Sequence, residues 1–372
     1  MKVLFTGGGT GGHVFPIIAV KRELQKLSQE ELKFYYLGPK DDFTAAFFPQ
    51  EGIKNIFILS GKIRRYWNFV TFFQNLFDII IKIPLGIIES FIVLFFLAPD
   101  IVFSKGGYGS IPAVISAWIL RIPIFLHESD VSPGLANKIL SNFSKEVFIS
   151  FPPRETEYFP LNKMIYVGNP IRKELLNGDE KRAKEIFSLQ GNKPLILILG
   201  GSQGSERINE IILNVLPELI KDFEVIHQVG DKNLQKVKIE AQAFLSEDLL
   251  KYYHFYSFLK EDELKHALKV ANLAIARAGS GTIFEIAAAG IPSILIPLPE
   301  SAQNHQVKNA YAYAKSGACI VLEEGNLTPY FFLQNIKNLF AFQPELNKMA
   351  QAAKEFSKPE AAKIIANYLI EY

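Results

Sequence analysis

Three glycine-rich runs stand out as places where chemistry could occur: Gly7-Gly8-Gly9-Thr10-Gly11-Gly12-His13, Lys105-Gly106-Gly107-Tyr108-Gly109-Ser110 and Gly200-Gly201-Ser202-Gln203-Gly204-Ser205. The first and third follow strand-like apolar runs at 1–5 and 195–199, and each of the three leads into a helical pattern. A strand that ends in glycines and enters a helix offers unpaired backbone N–H groups and the positive end of a helix dipole, which together suit a phosphate. His13 lies directly behind the first run, where a helix N-terminus disfavours the imidazolium, so a neutral proton acceptor is expected there. Glu128 is the second candidate acceptor. The apolar run 122–126 ends in His127-Glu128 and delivers both side chains to the carboxyl end of a strand, where parallel sheets form binding crevices. His127 and Glu128 also fit a simple hydrogen-bonded loop pair.

Gly7, Gly9 and Gly12 satisfy the G-x-G-x-x-G spacing of dinucleotide sites, but the second strand ends Tyr36-Leu37-Gly38-Pro39 without the acid that would hold a ribose. The chain has 372 residues, more than one core usually serves, so two domains are expected. Strand candidates at 34–37, 101–104, 123–126, 146–149 and 165–167 alternate with helical patterns. After the polar stretch 169–193, a second series follows at 195–199, 224–229, 273–276, 293–297 and 319–322. This alternation predicts two doubly wound α/β domains facing each other across a cleft, with residues 1–168 in the first and 169–356 in the second. Forty basic residues against 38 acidic ones leave a net charge of +2, which gives no footprint for a nucleic-acid partner. The single cysteine, Cys319, lies in an apolar run and reads as a buried structural thiol. The apolar opening is too short for a secretory signal, so a cytoplasmic protein is expected.

In order along the chain, Thr6-Gly7-Gly8-Gly9-Thr10-Gly11-Gly12-His13, His127-Glu128-Ser129-Asp130, Gly168-Asn169-Pro170-Ile171-Arg172, Gly200-Gly201-Ser202-Gln203-Gly204, Arg277 to Thr282 with Glu285, and Asn304-His305-Gln306 with Asn309 form a specific series. In these strings the chain resembles the MurG family, the membrane-associated N-acetylglucosaminyltransferases of peptidoglycan synthesis with the two-domain GT-B fold. The resemblance implies transfer of N-acetylglucosamine from UDP-N-acetylglucosamine to the 4-hydroxyl of undecaprenyl-pyrophosphoryl-MurNAc-pentapeptide, with inversion at the anomeric carbon. It also implies substrate contacts at Thr10, Gly11, Gly12 and Asp130, and a final helix, about 357–372, crossing back to the first domain. Asp130 departs from the Asn that many members carry at that place.

A departing UDP develops negative charge, which is met by a carboxylate-held metal or by preorganised donors and cations. The chain has no Asp-x-Asp triplet, so a site without metal or cofactor is expected, with Arg172, Ser202, Gln203, Gly204 and Thr282 at the diphosphate and nucleotide. Arg172 is also readable as a surface cation beside Lys173. Glu285, three residues after Thr282, suits either a ribose clamp or a capping box. Gln306 and Asn309 follow an amide-rich loop suited to sugar hydroxyls, while Tyr108 and Ser110 suit the acceptor pyrophosphate.

Residues 62–98 hold nine aromatic residues in thirty-seven, well above the 13% of the whole chain. Phe69, Phe72, Phe73, Leu76, Ile80 and Ile83 share one helical face behind the basic Lys62, Arg64 and Arg65, which suits peripheral docking on lipid at the cytoplasmic face of the membrane. Most of this stripe is expected to bury against the sheet, as apolar helical stripes usually do. Asp78, Lys82 and Glu89 argue against a transmembrane span. Two other readings stand beside the transferase: a UDP-N-acetylglucosamine epimerase or another lipid-acceptor glycosyltransferase on the same fold, and a non-catalytic UDP-sugar sensor.

Overall fold

A computed structural model describes residues 1–8, 11–62, 64, 68–156, 158–201 and 204–372. Thr10, Ser202, Gln203, Arg65 and Gly9 of the dinucleotide spacing lie outside the described residues. The chain divides into two compact units, Met1–Arg172 with Pro359–Tyr372, and Lys173–Lys358.

The first unit is built on a parallel sheet whose strands are β1 (Lys2–Thr6), β2 (Lys33–Gly38), β3 (Ile53–Phe57), β4 (Ile101–Ser104), β5 (Ile124–Glu128), β6 (Glu146–Ile149) and β7 (Met164–Tyr166). Their order is β3-β2-β1-β4-β5-β6-β7, so the winding reverses between β1 and β4. Val3 lies in register with Phe34 on one side and Ile101 on the other. Continuous burial of Val3, Leu4 and Phe5 marks a strand covered by helices on both faces. One face packs against the helices Gly11–Leu27 and Ala361–Glu371, whose Ile17, Ile18, Ile365 and Leu369 share a core with Phe5 and Phe103. On the other face Val114 and Ala117 of the helix Ile111–Ile119, with Leu94, meet Leu4, Val102 and Leu126.

The second unit repeats the plan with β8 (Leu195–Leu199), β9 (Glu224–Gln228), β10 (Tyr253–Tyr256), β11 (Leu273–Ala276), β12 (Ser293–Leu295) and β13 (Cys319–Val321). All of its pairings are parallel, and the order β10-β9-β8-β11-β12-β13 reverses between β8 and β11. Cys319 is buried, and burial pushes its thiol up to about 12, as befits a structural residue.

The aromatic segment departs from expectation. It forms an unbroken helical run, Phe69–Leu97, with a π-helical turn at Asp78–Lys82, and it is long and apolar enough to cross a membrane by length and composition. Most of its apolar side chains are exposed rather than buried, Phe69 and Phe96 at 79% and Ile80 at 61%. A narrow strip holds it to the first unit. Ser116 Oγ donates to the Ile87 carbonyl at 2.9 Å, Glu89 accepts from Leu59 N at 2.8 Å, and Leu94 is buried in the core. A Cβ on Gly86 would lie 2.1 Å from the Leu59 carbonyl oxygen, so the backbones touch there. Two of the charges read against a transmembrane span are paired internally: buried Asp78 pairs with Arg64 and Lys82, each at 2.8 Å. Arg64 is therefore engaged with Asp78 rather than free to meet headgroups.

Candidate functional site

In each unit two loops leave neighbouring strands at the reversal of the winding, the place where open α/β sheets bind ligands. In the first unit these are the loops after β1 and β4, the first and second glycine runs. They converge on His13, the third residue of the helix Gly11–Leu27. A Cβ on Gly8 would stand 3.2 Å from His13 Cε1, and one on Gly107 would stand 3.3 Å from its Nε2, so both loops run close against the imidazole. Gly107 takes a left-handed φ of 79° to do so. Burial, with a smaller contribution from Lys105, lowers the His13 pKa to about 4. At neutral pH the ring is uncharged and able to accept a proton.

Beneath it lies a buried polar cluster. The Lys105 ammonium donates to His127 Nδ1 at 2.6 Å and to Ser129 Oγ. With Nδ1 accepting, His127 Nε2 carries the proton and donates to the Gly168 carbonyl at 3.1 Å, which fixes the tautomer. Both ring nitrogens are thus occupied, and burial holds the His127 pKa well below the ordinary value. His127 belongs to the scaffold. Glu128, 4% exposed, accepts from Asp130 N at 2.9 Å and from Asn137 Nδ2 at 2.7 Å, and Asn137 Oδ1 in turn accepts from Gly107 N at 3.2 Å. Burial raises the Glu128 pKa, and Asp130 adds to the rise. Asn137 escaped sequence reasoning because a single polar residue in the short helix Leu135–Leu140 carries no pattern.

Tyr108 and Ser110 form the single turn Tyr108–Ser110 at the end of the second run, with Ser110 Oγ donating to the Gly107 carbonyl at 2.8 Å. Ser110 is therefore a brace for the loop, while Tyr108 stays half-buried at its rim. Gly11 is buried and Gly12 exposed at the helix start. The Arg172 guanidinium sits 4.0 Å over the Phe15 ring, and the residue is 5% exposed, so it is not an ordinary surface cation.

In the second unit the loops after β8 and β11 flank the reversal. Gly204 is left-handed, with φ 77°, and precedes Ser205, which caps the helix Glu206–Asp222. Arg277, at the end of β11, donates to Ser205 Oγ at 2.6 Å and to the Ile296 carbonyl at 3.0 Å, and pairs with Glu324. This arginine ties four loops at one sheet edge. The helix Ser280–Ala289 begins from Gly279, which makes Thr282 its third residue and excludes a Thr282–Glu285 capping box. Thr282 and Glu285 are both half-buried and share a face one turn apart. Gln306 Oε1 accepts from Leu298 N at 3.0 Å. Asn309 is fully buried and donates to the Ala278 carbonyl at 3.3 Å, so its amide supports the loop after β11 instead of reaching solvent. Among the described residues, no group of three or more His, Cys, Asp or Glu side chains is placed to hold a metal ion.

The model of the glycosyltransferase family 28 N-terminal domain matches residues 3–149, and that of the family 28 C-terminal domain matches residues 195–365. The chain is 38% identical over 372 residues, covering 99% of itself and 96% of the relative, to the UDP-N-acetylglucosamine–N-acetylmuramyl-(pentapeptide) pyrophosphoryl-undecaprenol N-acetylglucosamine transferase of Borreliella burgdorferi. The chain belongs to the MurG branch of glycosyltransferase family 28. A crystal structure of Acinetobacter baumannii MurG superposes with a TM-score of 0.75 at 26% identity, covering 100% of this chain and 99% of that one. The Neisseria meningitidis UDP-GlcNAc 2-epimerase bound to UDP-GlcNAc also superposes, with a TM-score of 0.70 over 100% of both chains, but at 18% identity it shares the fold alone. The two-domain GT-B architecture expected from the sequence is thus the architecture of the MurG branch, and the chain is a glycosyltransferase.

Proposed function

We infer that this chain transfers N-acetylglucosamine from UDP-N-acetylglucosamine to the 4-hydroxyl of undecaprenyl-pyrophosphoryl-MurNAc-pentapeptide, inverting the anomeric carbon. The observation that carries this reading is the 38% identity to the Borreliella burgdorferi transferase along 99% of the chain. The first unit is the acceptor unit. Neutral His13, held between the two glycine loops, takes the proton of the attacking hydroxyl, and Glu128 is the second candidate for that step. Backbone N–H groups of the loops, Gly11 and Gly12 among them, with Tyr108, receive the acceptor pyrophosphate. The second unit is the donor unit. The Gly204 loop and the start of the helix Ser280–Ala289, including Thr282, meet the diphosphate, Glu285 clamps the ribose hydroxyls, and Gln306 reads the sugar. Arg172 offers a guanidinium suited to a phosphate and Asp130 a carboxylate suited to a sugar hydroxyl, as two further substrate contacts.

The helix Phe69–Leu97 carries the protein to the cytoplasmic face of the membrane as a peripheral attachment. A spanning helix is surrounded by lipid, whereas this one has a flank fastened to the protein at Gly86, Ile87, Glu89 and Leu94. Its outward phenylalanines and isoleucines enter the interface and leave the first unit in water.

The reading is tested with labelled UDP-N-acetylglucosamine, with and without the lipid-linked muramoyl acceptor. Label appearing in lipid only when the acceptor is present supports it. Epimerised nucleotide sugar formed without acceptor would replace it with the epimerase reading, and binding without turnover would replace it with the sensor.

A further inference from the structure

Lys105 begins the second glycine run, yet it is 2% exposed and its ammonium points inward to His127 Nδ1 and Ser129 Oγ. A buried lysine carries a desolvation cost that two neutral acceptors do not offset, so its charge needs carboxylates close by. Two are present. Glu128 and Asp130 leave the end of β5 on either side of Ser129, the residue Lys105 holds, and Glu128 accepts the Asp130 backbone N–H. The two carboxylates repel each other, and Glu128 is nearly as buried as the lysine. His13 and His127 are the other titratable groups facing Lys105, and both are kept neutral beside it.

We propose that Lys105 is a positioning residue that acts as the internal counter-charge of the Glu128–Asp130 pair, keeping Glu128 unprotonated as the proton acceptor of the transfer. The proposal rests on the transferase reading. Burial pulls the Lys105 pKa down, and Glu128 and then Asp130 hold it up, while Lys105 in turn offsets the upward pull of burial and Asp130 on Glu128. Without the ammonium, Glu128 would hold its proton to higher pH. His13, relieved of a neighbouring cation, would do the same. With Glu128 as the acceptor the acid limb of the rate therefore moves upward and answers to Asp130, whereas a limb set by His13 would move with Lys105 alone.

The test compares the pH profile of kcat/KM for label transfer in wild type, Lys105→Met, Asp130→Asn and the double variant. Lys105→Met should shift the acid limb upward by about one pH unit and lower the rate about tenfold at pH values below the limb, since one unit is a tenfold change in the unprotonated fraction there. Adding Asp130→Asn removes one charge of each sign and should bring the limb back down toward wild type. A lysine that only braces His127 and Ser129 through hydrogen bonds would not be rescued by a change at Asp130. An unshifted limb in Lys105→Met, or a double variant no better than the single one, would overturn the proposal. If Lys105→Met does not fold, folding of the double variant supports it and failure of both overturns it. A wild type that transfers no label would defeat the transferase reading instead, which keeps the two failures distinct.

Discussion

His13 and Glu128 divide the acid–base work between two environments. His13 is neutral because burial keeps charge out of the space between two glycine loops, whereas Glu128 is drawn toward its protonated form by burial and by Asp130. His13→Ala should lower turnover by ~10²-fold or more while leaving UDP affinity within a few-fold, because a proton acceptor acts on the transition state and not on the nucleotide. Equal turnover would remove His13 from the step. Glu128→Gln removes the charge and also sets an amide NH2 against one of the two N–H donors, Asp130 N or Asn137 Nδ2, so its effect combines both losses. Buried histidines also set the response to acid. His227, fully buried and hydrogen-bonded to the Tyr253 hydroxyl at 2.8 Å, has its pKa lowered to about 3 by burial. Between the ordinary 6.5 and about 3 the unfolded chain binds a proton that the folded one refuses, so stability is lost as pH falls through that window. His227→Gln should flatten the fall in the unfolding midpoint across that range, as measured by calorimetry. An unchanged slope would mean the dependence comes from other groups.

Among the elements, the helix Phe69–Leu97 yields the sharpest expectation, since its two flanks answer to different solvents. Ile80→Glu and Phe96→Glu lie on exposed positions, so the unfolding midpoint should hardly move. Vesicle binding should fall at least ~10-fold for each, because a fully buried apolar side chain is worth ~1.5–3 kcal/mol. Binding as strong as wild type would show that this flank does not meet lipid. Gly86→Ala acts on the other flank. The added methyl would meet the Leu59 carbonyl and should destabilise the first unit by ~1–3 kcal/mol in denaturant unfolding. The existence and period of this helix are legible in its sequence, but its orientation is not. An apolar stripe reads the same whether it faces a core or a bilayer, so the expectation of burial failed here. Two strands also escaped the sequence. β3, Ile53-Lys54-Asn55-Ile56-Phe57, and β10, Tyr253-His254-Phe255-Tyr256, are edge strands with polar residues inside them, and they lack the unbroken apolar run that announces a central strand such as Leu195–Leu199.

Taken as a whole molecule, the chain uses one plan twice, and in both sheets the glycine loops fall at the reversal of strand order. The loops, His13 and Glu128 could be found in sequence because glycine-to-helix junctions and strand ends leave local signatures. Asn137 and the inward turn of Lys105 could not, because each depends on a partner about 20 to 30 residues away. The last helix joins the first unit: Ala362, Ile365, Ala366 and Leu369 share its core with Val14 and Ile18. Removing residues 359–372 should therefore lower the unfolding midpoint of the first unit and leave that of the second nearly unchanged in a two-transition melt. The central claim is most directly tested by the anomeric configuration of the sugar transferred from α-linked UDP-N-acetylglucosamine to the lipid-linked muramoyl acceptor, read by NMR of the isolated product. A β-linked disaccharide on the 4-hydroxyl is the expected result, as a single displacement assisted by a proton acceptor requires. An α-linked product, or a nucleotide sugar epimerised with the acceptor untouched, would contradict the account.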